Sequence, residues 1–223
     1  LNQRVRAGAN LVRVFGMVPY PPIFNPRNYP NYYEQLPTFA SFLESKQLYL
    51  EFTVFAGAQD FPQIPQQAHF IDCCARLRPC KNVFVELCNE YPKNGVDPRH
   101  FTKPVGILSS AGSSLSDAKP EVLWDFFGWH GRRDWPKLSN VEDMLEVIDD
   151  EGVVGVHDEP IGAGPVDIPG RRTTSALTMA TIASNSARLG SGATFHSESG
   201  LRSELWGDVE SKLANVFFTS MEF

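Results

Sequence analysis

Short apolar runs alternate along this sequence with longer segments of helical periodicity, and this alternation limits the fold more than any other feature. The runs end in Gly, Pro, Asn or acidic residues, and continuous ones such as "VFVEL" and "VVGV" are typical of strands covered on both faces. The predicted strands are Asn10–Met17, Leu48–Ala56, Val83–Glu90, Val105–Ser110, Val122–Phe127, Val153–Glu159 and Ala193–Ser197. The predicted helices are Tyr33–Lys46, Pro65–Leu77, Val141–Asp149, Thr174–Leu189 and Ser203–Phe218. Such an order predicts βαβ units and a parallel sheet.

The number of strands indicates which parallel architecture this is. Seven strands are predicted and the sequence opens on a helix, so we expect one further strand to precede it. Eight strands predict an α/β fold of the TIM (β/α)8-barrel type, incomplete at its N-terminus, as a single catalytic domain over residues 1–223. An open doubly wound sheet is the alternative, but no Gly-rich phosphate fingerprint follows any predicted strand.

Composition excludes some classes of partner. The formal net charge is −6, so a strongly basic surface for nucleic acid is not indicated. No apolar run reaches the length of about 18 residues that a membrane span needs. We therefore expect neither a nucleic acid nor a membrane as partner, and the compartment is not predicted.

The four cysteines cluster without C-x-x-C spacing. They are Cys73, Cys74, Cys80 and Cys88. Small buried thiols are the favoured interpretation. A disulfide, or a zinc site that uses His69 and Cys73 on one helix face, remains an alternative.

Polar side chains recur where the predicted strands end, which in a barrel is the rim that carries the active site. Strand alternation places Glu86 and Glu90 on one face of the third strand, and Glu159 ends the sixth. Two carboxylates that face one another are what glycoside hydrolysis requires, one as general acid and one as nucleophile or base. Glu86 lies deeper in the strand and is interpreted as an interior structural carboxylate.

Three motifs resemble the large clan of retaining glycosidases with (β/α)8 barrels, which includes the cellulase-like and mannanase-like enzymes. "ELCNEYP" resembles the clan's fourth strand, which ends on Asn-Glu, and "VVGVHDEPIG" resembles its seventh, which ends on the nucleophile. "GANLVRVFGM" is similar to its second strand, whose Arg supports that nucleophile. At the end of strand eight, where the clan has Trp, this sequence reads "FHSESG".

The resemblance implies a retaining hydrolase of O-glycosidic bonds with a carbohydrate substrate and no metal or cofactor. Glu90 is then the acid/base and Glu159 the nucleophile, with Arg13 and Asn89 in support. Asn89 is expected to bind a sugar 2-hydroxyl. The remaining candidate substrate-binding residues lie within or after the other predicted strands: Tyr20, Trp129, His130, His157, His196 and Glu198.

Two other functions remain open. One is a non-catalytic barrel that binds carbohydrate, which the missing Trp favours. The other is a metal-dependent barrel hydrolase that uses His157 and His196 with Asp158 and Glu198 nearby. Asp158 also rivals Glu159 if the strand register slips by one residue. A serine hydrolase is disfavoured because no G-x-S-x-G elbow occurs.

Overall fold

A computed structural model of the chain describes residues 1–19, 25–91, 93–113, 121–130, 154–158, 176–188, 190, 192–193, 195 and 208–221. These residues group into two compact units. The first unit covers residues 10–127, and the second covers residues 1–9 and 128–223. The expectation of one barrel domain over residues 1–223 stays a prediction.

The described helices and strands are named in chain order. They are α1 (Asn2–Arg6), β1 (Leu11–Phe15), α2 (Tyr32–Glu44), β2 (Tyr49–Phe55), α3 (Gln66–Leu77), β3 (Val83–Cys88), β4 (Leu108–Ser113), β5 (Phe126–His130), β6 (Val154–Asp158), α4 (Ala176–Arg188), β7 (Gly192–Ala193) and α5 (Asp208–Thr219). Short 3-10 helices occur at Ala58–Asp60 and Pro98–His100. The second of these lies in the connection between β3 and β4.

The first unit is a parallel sheet with helices in its connections. Strands β1 to β4 pair in parallel and in chain order, and the sheet order continues to β5, whose first two residues belong to this unit. The register aligns Arg13 with Glu51, and Thr53 with Glu86. The prediction of a mixed α/β fold with a parallel sheet is therefore confirmed.

The core of this unit lies where α2 and α3 cover the sheet. All residues of β2 from Leu50 to Phe55 are buried, as expected for a strand covered on both faces. The Tyr32 hydroxyl donates to the Gly16 carbonyl at 2.6 Å, and a Cβ on Gly16 would lie 2.4 Å from the Phe52 ring. Glycine after β1 therefore allows α2 to pack closely on the strand. In α3, the residues at one face are buried: His69, Phe70, Cys73, Cys74 and Leu77.

The fourth strand begins later than predicted. The apolar start at Val105 suggested Val105–Ser110, yet β4 is Leu108–Ser113 and Val105 is 81% exposed. The small residues at the end of β4 let it run close to β3. A Cβ on Gly112 would lie only 2.5 Å from the Cys88 carbonyl oxygen. The position of β4 therefore depends on close packing of small side chains, which the hydrophobic periodicity of the sequence does not reveal.

The third and fifth strands also differ from prediction, in ways that bear on candidate site residues. The fifth strand was predicted over Val122–Phe127, but β5 is Phe126–His130, so Trp129 and His130 lie within the strand and not after it. The third strand was predicted to end on Glu90, but β3 ends at Cys88. Glu90 has φ +41°, which is outside the β region, so strand alternation does not extend to it.

The second unit holds the remaining described elements. β6 and β7 pair in parallel. Helices α4 and α5 pack together, with Ala183 and Phe217 buried and Phe195 against them. Predicted helices Thr174–Leu189 and Ser203–Phe218 correspond to α4 and α5, while Val141–Asp149 lies outside the described residues. Within the described part of the chain, no helix is both long enough and apolar enough to cross a bilayer.

Candidate functional site

A polar cluster lies on one face of the sheet in the first unit. Glu51 and Thr53 alternate along β2 with Phe52, so they project from the opposite side to the ring that packs by Gly16. The register sets Glu51 beside Arg13 and Thr53 beside Glu86. Three neighbouring strands thus bring a cation, two carboxylates and a hydroxyl together.

The guanidinium of Arg13 is at the centre of this cluster. Its Nη2 lies 2.5 Å from Glu86 Oε2, and its Nε lies 3.2 Å from the same oxygen and 3.1 Å from Thr53 Oγ1. Its Nε is also 3.8 Å from Glu51 Oε1. The side chains of Arg13, Glu51 and Glu86 are 7%, 5% and 1% exposed. Removal of either partner from an ion pair this well buried is destabilising, because the remaining charge would be desolvated without compensation.

The two carboxylate oxygens of Glu86 differ in their hydrogen bonding. Oε2 accepts from Arg13 and from the Thr53 hydroxyl at 2.5 Å. Oε1 is buried and has no hydrogen-bond partner among the described residues. The carboxylate is thus oriented entirely by its one bonded oxygen. Its complete burial agrees with the interior structural role predicted for it.

Asn89 connects this cluster to the end of β3. Its side-chain Oδ1 accepts from Arg13 Nη2 at 3.0 Å. Its backbone N–H donates to the Phe55 carbonyl, and its own carbonyl accepts from Asn94 Nδ2 at 2.7 Å. Asn89 is held at both backbone and side chain, while remaining half-buried.

Glu90 follows in a strained backbone conformation. A non-glycine residue at φ +41° is uncommon, and such conformations cost on the order of 1–3 kcal/mol and persist where surrounding bonds enforce them. Here the Glu90 N–H donates to the Ser113 hydroxyl at 2.9 Å, and the Tyr91 N–H donates to the Ser113 carbonyl at 3.2 Å. β4 therefore holds the turn that presents Glu90.

The carboxylate of Glu90 is only 13% exposed and has a cation beside it. Lys93 Nζ lies 3.2 Å from Glu90 Oε2, although the Lys93 side chain is 64% exposed. A nearby cation favours the ionised form of a carboxylate. The site thus presents a partly buried carboxylate in contact with an exposed cation.

Cys88 lies between Glu86 and this turn, and its thiol is unreactive. Burial, followed by the nearby carboxylate of Glu86, raises the pKa of the Cys88 thiol well above its usual value. The thiol therefore stays protonated near neutral pH and acts as a small apolar group.

No protein-family model matches the sequence, and a search of curated proteins finds no match. Any functional conclusion therefore rests on the residues of the site and their chemistry.

The structure brings three of the predicted site residues together. Arg13, Asn89 and Glu90 all lie in the first unit, and Arg13 bonds directly to Asn89. For Trp129, His130 and His157, the structure describes the backbone, within β5 and β6. The others lie outside the described residues: Tyr20, Glu159, His196 and Glu198. The assignments of these residues stay predictions.

The cysteines lie in ordinary packing environments. All four are free thiols, and burial raises the pKa of Cys74 to about 12. His69 Nε2 lies 3.8 Å from Cys73 Sγ, but the described residues contain no cluster of three metal-ligating side chains. The His69 ring packs among aromatic residues, and burial lowers its pKa to about 4. This arrangement favours the interpretation as buried thiols for Cys73, Cys74 and Cys88, whereas Cys80 is half-buried.

Four residues of the site were not anticipated from the sequence: Glu51, Thr53, Lys93 and Ser113. The first two do have a sequence signal, since "EFTVF" places polar residues two apart inside an apolar strand. Such residues must share a face and find partners there. Ser113 carries no comparable signal, because its role depends on how β4 is placed against the turn after β3.

Proposed function

We propose that this chain is a retaining glycoside hydrolase on a (β/α)8 barrel. The observation that carries the proposal is the arrangement of Asn89 and Glu90 at the end of β3. One residue is anchored by a buried Arg, and the next is held in a strained conformation at the strand end. Strain of this kind concentrates at functional sites. The parallel, sequential order of β1 to β5 supports the barrel architecture.

In the proposed reaction, one carboxylate acts as acid and base and the other as nucleophile. Glu90 protonates the leaving oxygen while Glu159 attacks the anomeric carbon, which forms a glycosyl ester on Glu159 and expels the alcohol. Glu90 then removes a proton from water, and this water breaks the ester and releases the sugar with its original configuration. The two carboxyl groups of a retaining pair lie about 5–5.5 Å apart, so a separation beyond about 10 Å in an experimental structure would contradict the pairing.

The experiment uses aryl glycosides whose leaving groups differ in how strongly their departure depends on protonation. Glu90→Ala should slow hydrolysis of a phenyl glycoside by about 100- to 10,000-fold, because the phenolate leaves poorly without a proton. With a dinitrophenyl glycoside, the same variant should still release the phenol in a burst, since that group needs no protonation. Glu159→Ala should fail on both substrates, because the nucleophile is missing.

Controls separate catalysis from folding. Glu34→Ala removes an exposed carboxylate in α2, whose partner is Arg76, and should leave both rates unchanged. The first anomer released by the unaltered protein should have the configuration of the substrate, read by proton NMR. Full activity in both Glu90→Ala and Glu159→Ala, or inversion at the anomeric carbon, would overturn the proposed mechanism.

A second candidate is a barrel that binds carbohydrate without turnover. The ion pair between Lys93 and Glu90 favours it, because a carboxylate held ionised is a poor acid. The two candidates differ in one observation. Binding of oligosaccharides by calorimetry, with no hydrolysis of any activated glycoside, would favour the binding protein.

A further inference from the structure

The side-chain amide of Asn89 has a defined orientation. Arg13 faces it at 3.0 Å, and a guanidinium has donors only. The atom that Arg13 contacts must therefore be the amide oxygen, which leaves Nδ2 turned away. Among the described residues, Nδ2 has no hydrogen-bond partner. Asn89 consequently presents, immediately before Glu90, two N–H donors that none of the described residues accepts.

Arg13 can impose this orientation only because it is itself fixed. Its Nη2 has two hydrogens, and one is directed to Glu86 Oε2 and the other to Asn89 Oδ1. Thr53 completes the bracing, because its hydroxyl donates to Glu86 and accepts from Arg13 Nε. The hydroxyl thus acts on both members of the ion pair at once.

Neither Glu86 nor Thr53 can reach a ligand directly. Both are fully buried, with 0% of their surfaces exposed. Their influence on bound molecules must pass through Arg13 to Asn89, which is half-buried. The backbone of Asn89 is already held by Phe55 and Asn94, so rotation of its side chain is the freedom that Arg13 removes.

We propose that Glu86 and Thr53 are positioning residues that, through Arg13, hold Asn89 as a hydrogen-bond donor for an oxygen atom of the ligand. The carbohydrate nature of the ligand rests on the proposed function, and there the acceptor is a sugar hydroxyl oxygen. The positioning of Asn89 depends only on the cluster itself. An amide free to flip would present its oxygen half of the time and would lose the donor.

The first arm of the experiment measures order in the Asn89 amide. Its NH2 signals in a nitrogen-15 spectrum are assigned by their loss in Asn89→Ala. Relaxation should show a rigid amide in the unaltered chain, and a clearly more mobile one in Glu86→Gln and in Thr53→Val. Thr53→Val is the milder change and keeps the test decisive if Glu86→Gln does not fold. An equally rigid amide in the folded variants would overturn the proposal.

Asn82→Ala is the matched structural control. Asn82 is also buried, and its Nδ2 donates to the carbonyls of Ala40 and Leu48, beside the first residue of β3. Its loss should lower thermal stability while leaving the Asn89 signals unchanged. A general loosening of the sheet would instead mobilise Asn89 in this variant as well, and that result would also overturn the proposal.

The second arm is a double-mutant cycle on glycoside hydrolysis. Glu86→Gln alone should lower kcat/KM by about tenfold, but in the Asn89→Ala background it should change kcat/KM by less than about twofold. Multiplicative losses would show that Glu86 acts by another route and would overturn the proposal. If no glycoside is hydrolysed at all, the proposed function fails, while the relaxation arm still decides whether Glu86 positions Asn89.

Discussion

Arg13 lies in the middle of β1 and Asn89 directly follows β3, and Arg13 Nη2 donates to Asn89 Oδ1 across 3.0 Å. The same nitrogen binds Glu86, so a single guanidinium joins the buried charge of the sheet to the half-buried residue that follows β3. This bond makes the stability of the sheet and the geometry of the site depend on one side chain.

Arg13→Met should destabilise the protein by about 3–5 kcal/mol, because it leaves two buried carboxylates without their cation. The free energy of unfolding from urea denaturation measures this loss. Arg76→Met, which breaks the exposed pair with Glu34, is the matched control and should change stability by no more than about 1 kcal/mol. A loss as small as the control's would mean that the buried pairs do not stabilise the fold.

His69 should make the protein sensitive to acid. Its pKa is about 4 in the folded chain, below the usual value of 6.5, because burial disfavours the charged ring. Above pH 6.5 both states are neutral and nothing is lost. As the pH falls from 6.5 to 4, the unfolded chain takes up a proton that the folded chain does not, which removes stability on the order of 3 kcal/mol.

Comparison of variants isolates this effect from other titrations. The difference in unfolding free energy between pH 7 and pH 4.5 should be smaller in His69→Gln than in the unaltered chain. His100→Gln removes an exposed histidine and should not change that difference. An equal pH dependence in all three proteins would contradict the prediction.

The location of the elements was largely predictable, whereas the contacts of the site were not. Aromatic and β-branched content identified β2, and periodicity identified α2 and α3. The partner of Arg13 depended on register, which no local pattern specifies. The conformation of Glu90 depended on Ser113, which lies 23 residues later in the chain. Long-range contacts of this kind are decided by packing and leave little trace in local sequence.

Ser113→Ala should loosen the turn at Glu90. The Glu90 N–H loses its acceptor, so we expect a stability loss of about 1–2 kcal/mol. If the proposed function is correct, kcat of the folded variant should also fall, because the acid leaves its position. Ser45→Ala, at the exposed end of α2, is the control and should affect neither quantity. Unchanged kcat in Ser113→Ala would show that the brace is not needed for catalysis.

Lys93→Met should extend activity to higher pH. The cation favours ionised Glu90, so its removal lets the acid keep its proton as the pH rises. Since the Lys93 side chain is 64% exposed, solvent screening keeps the expected shift of the alkaline limb small. Lys103→Met breaks a comparable pair with Asp125 away from this turn and should not move the limb. A shift of the alkaline limb to lower pH in Lys93→Met would contradict the prediction.

Gly112→Ala should be among the most damaging small changes in the first unit. Gly112 has φ +125°, and an added Cβ would lie 2.5 Å from the Cys88 carbonyl oxygen, so both the backbone and the β3–β4 contact would be strained. We expect a loss of about 2 kcal/mol or more in unfolding free energy. Gly106→Ala supplies the control, because Gly106 also has positive φ, +77°, but its Cβ would be 3.5 Å from the nearest atom. The excess loss in Gly112→Ala therefore measures the close approach of the two strands, and equal losses in both variants would mean that the strands can move apart freely.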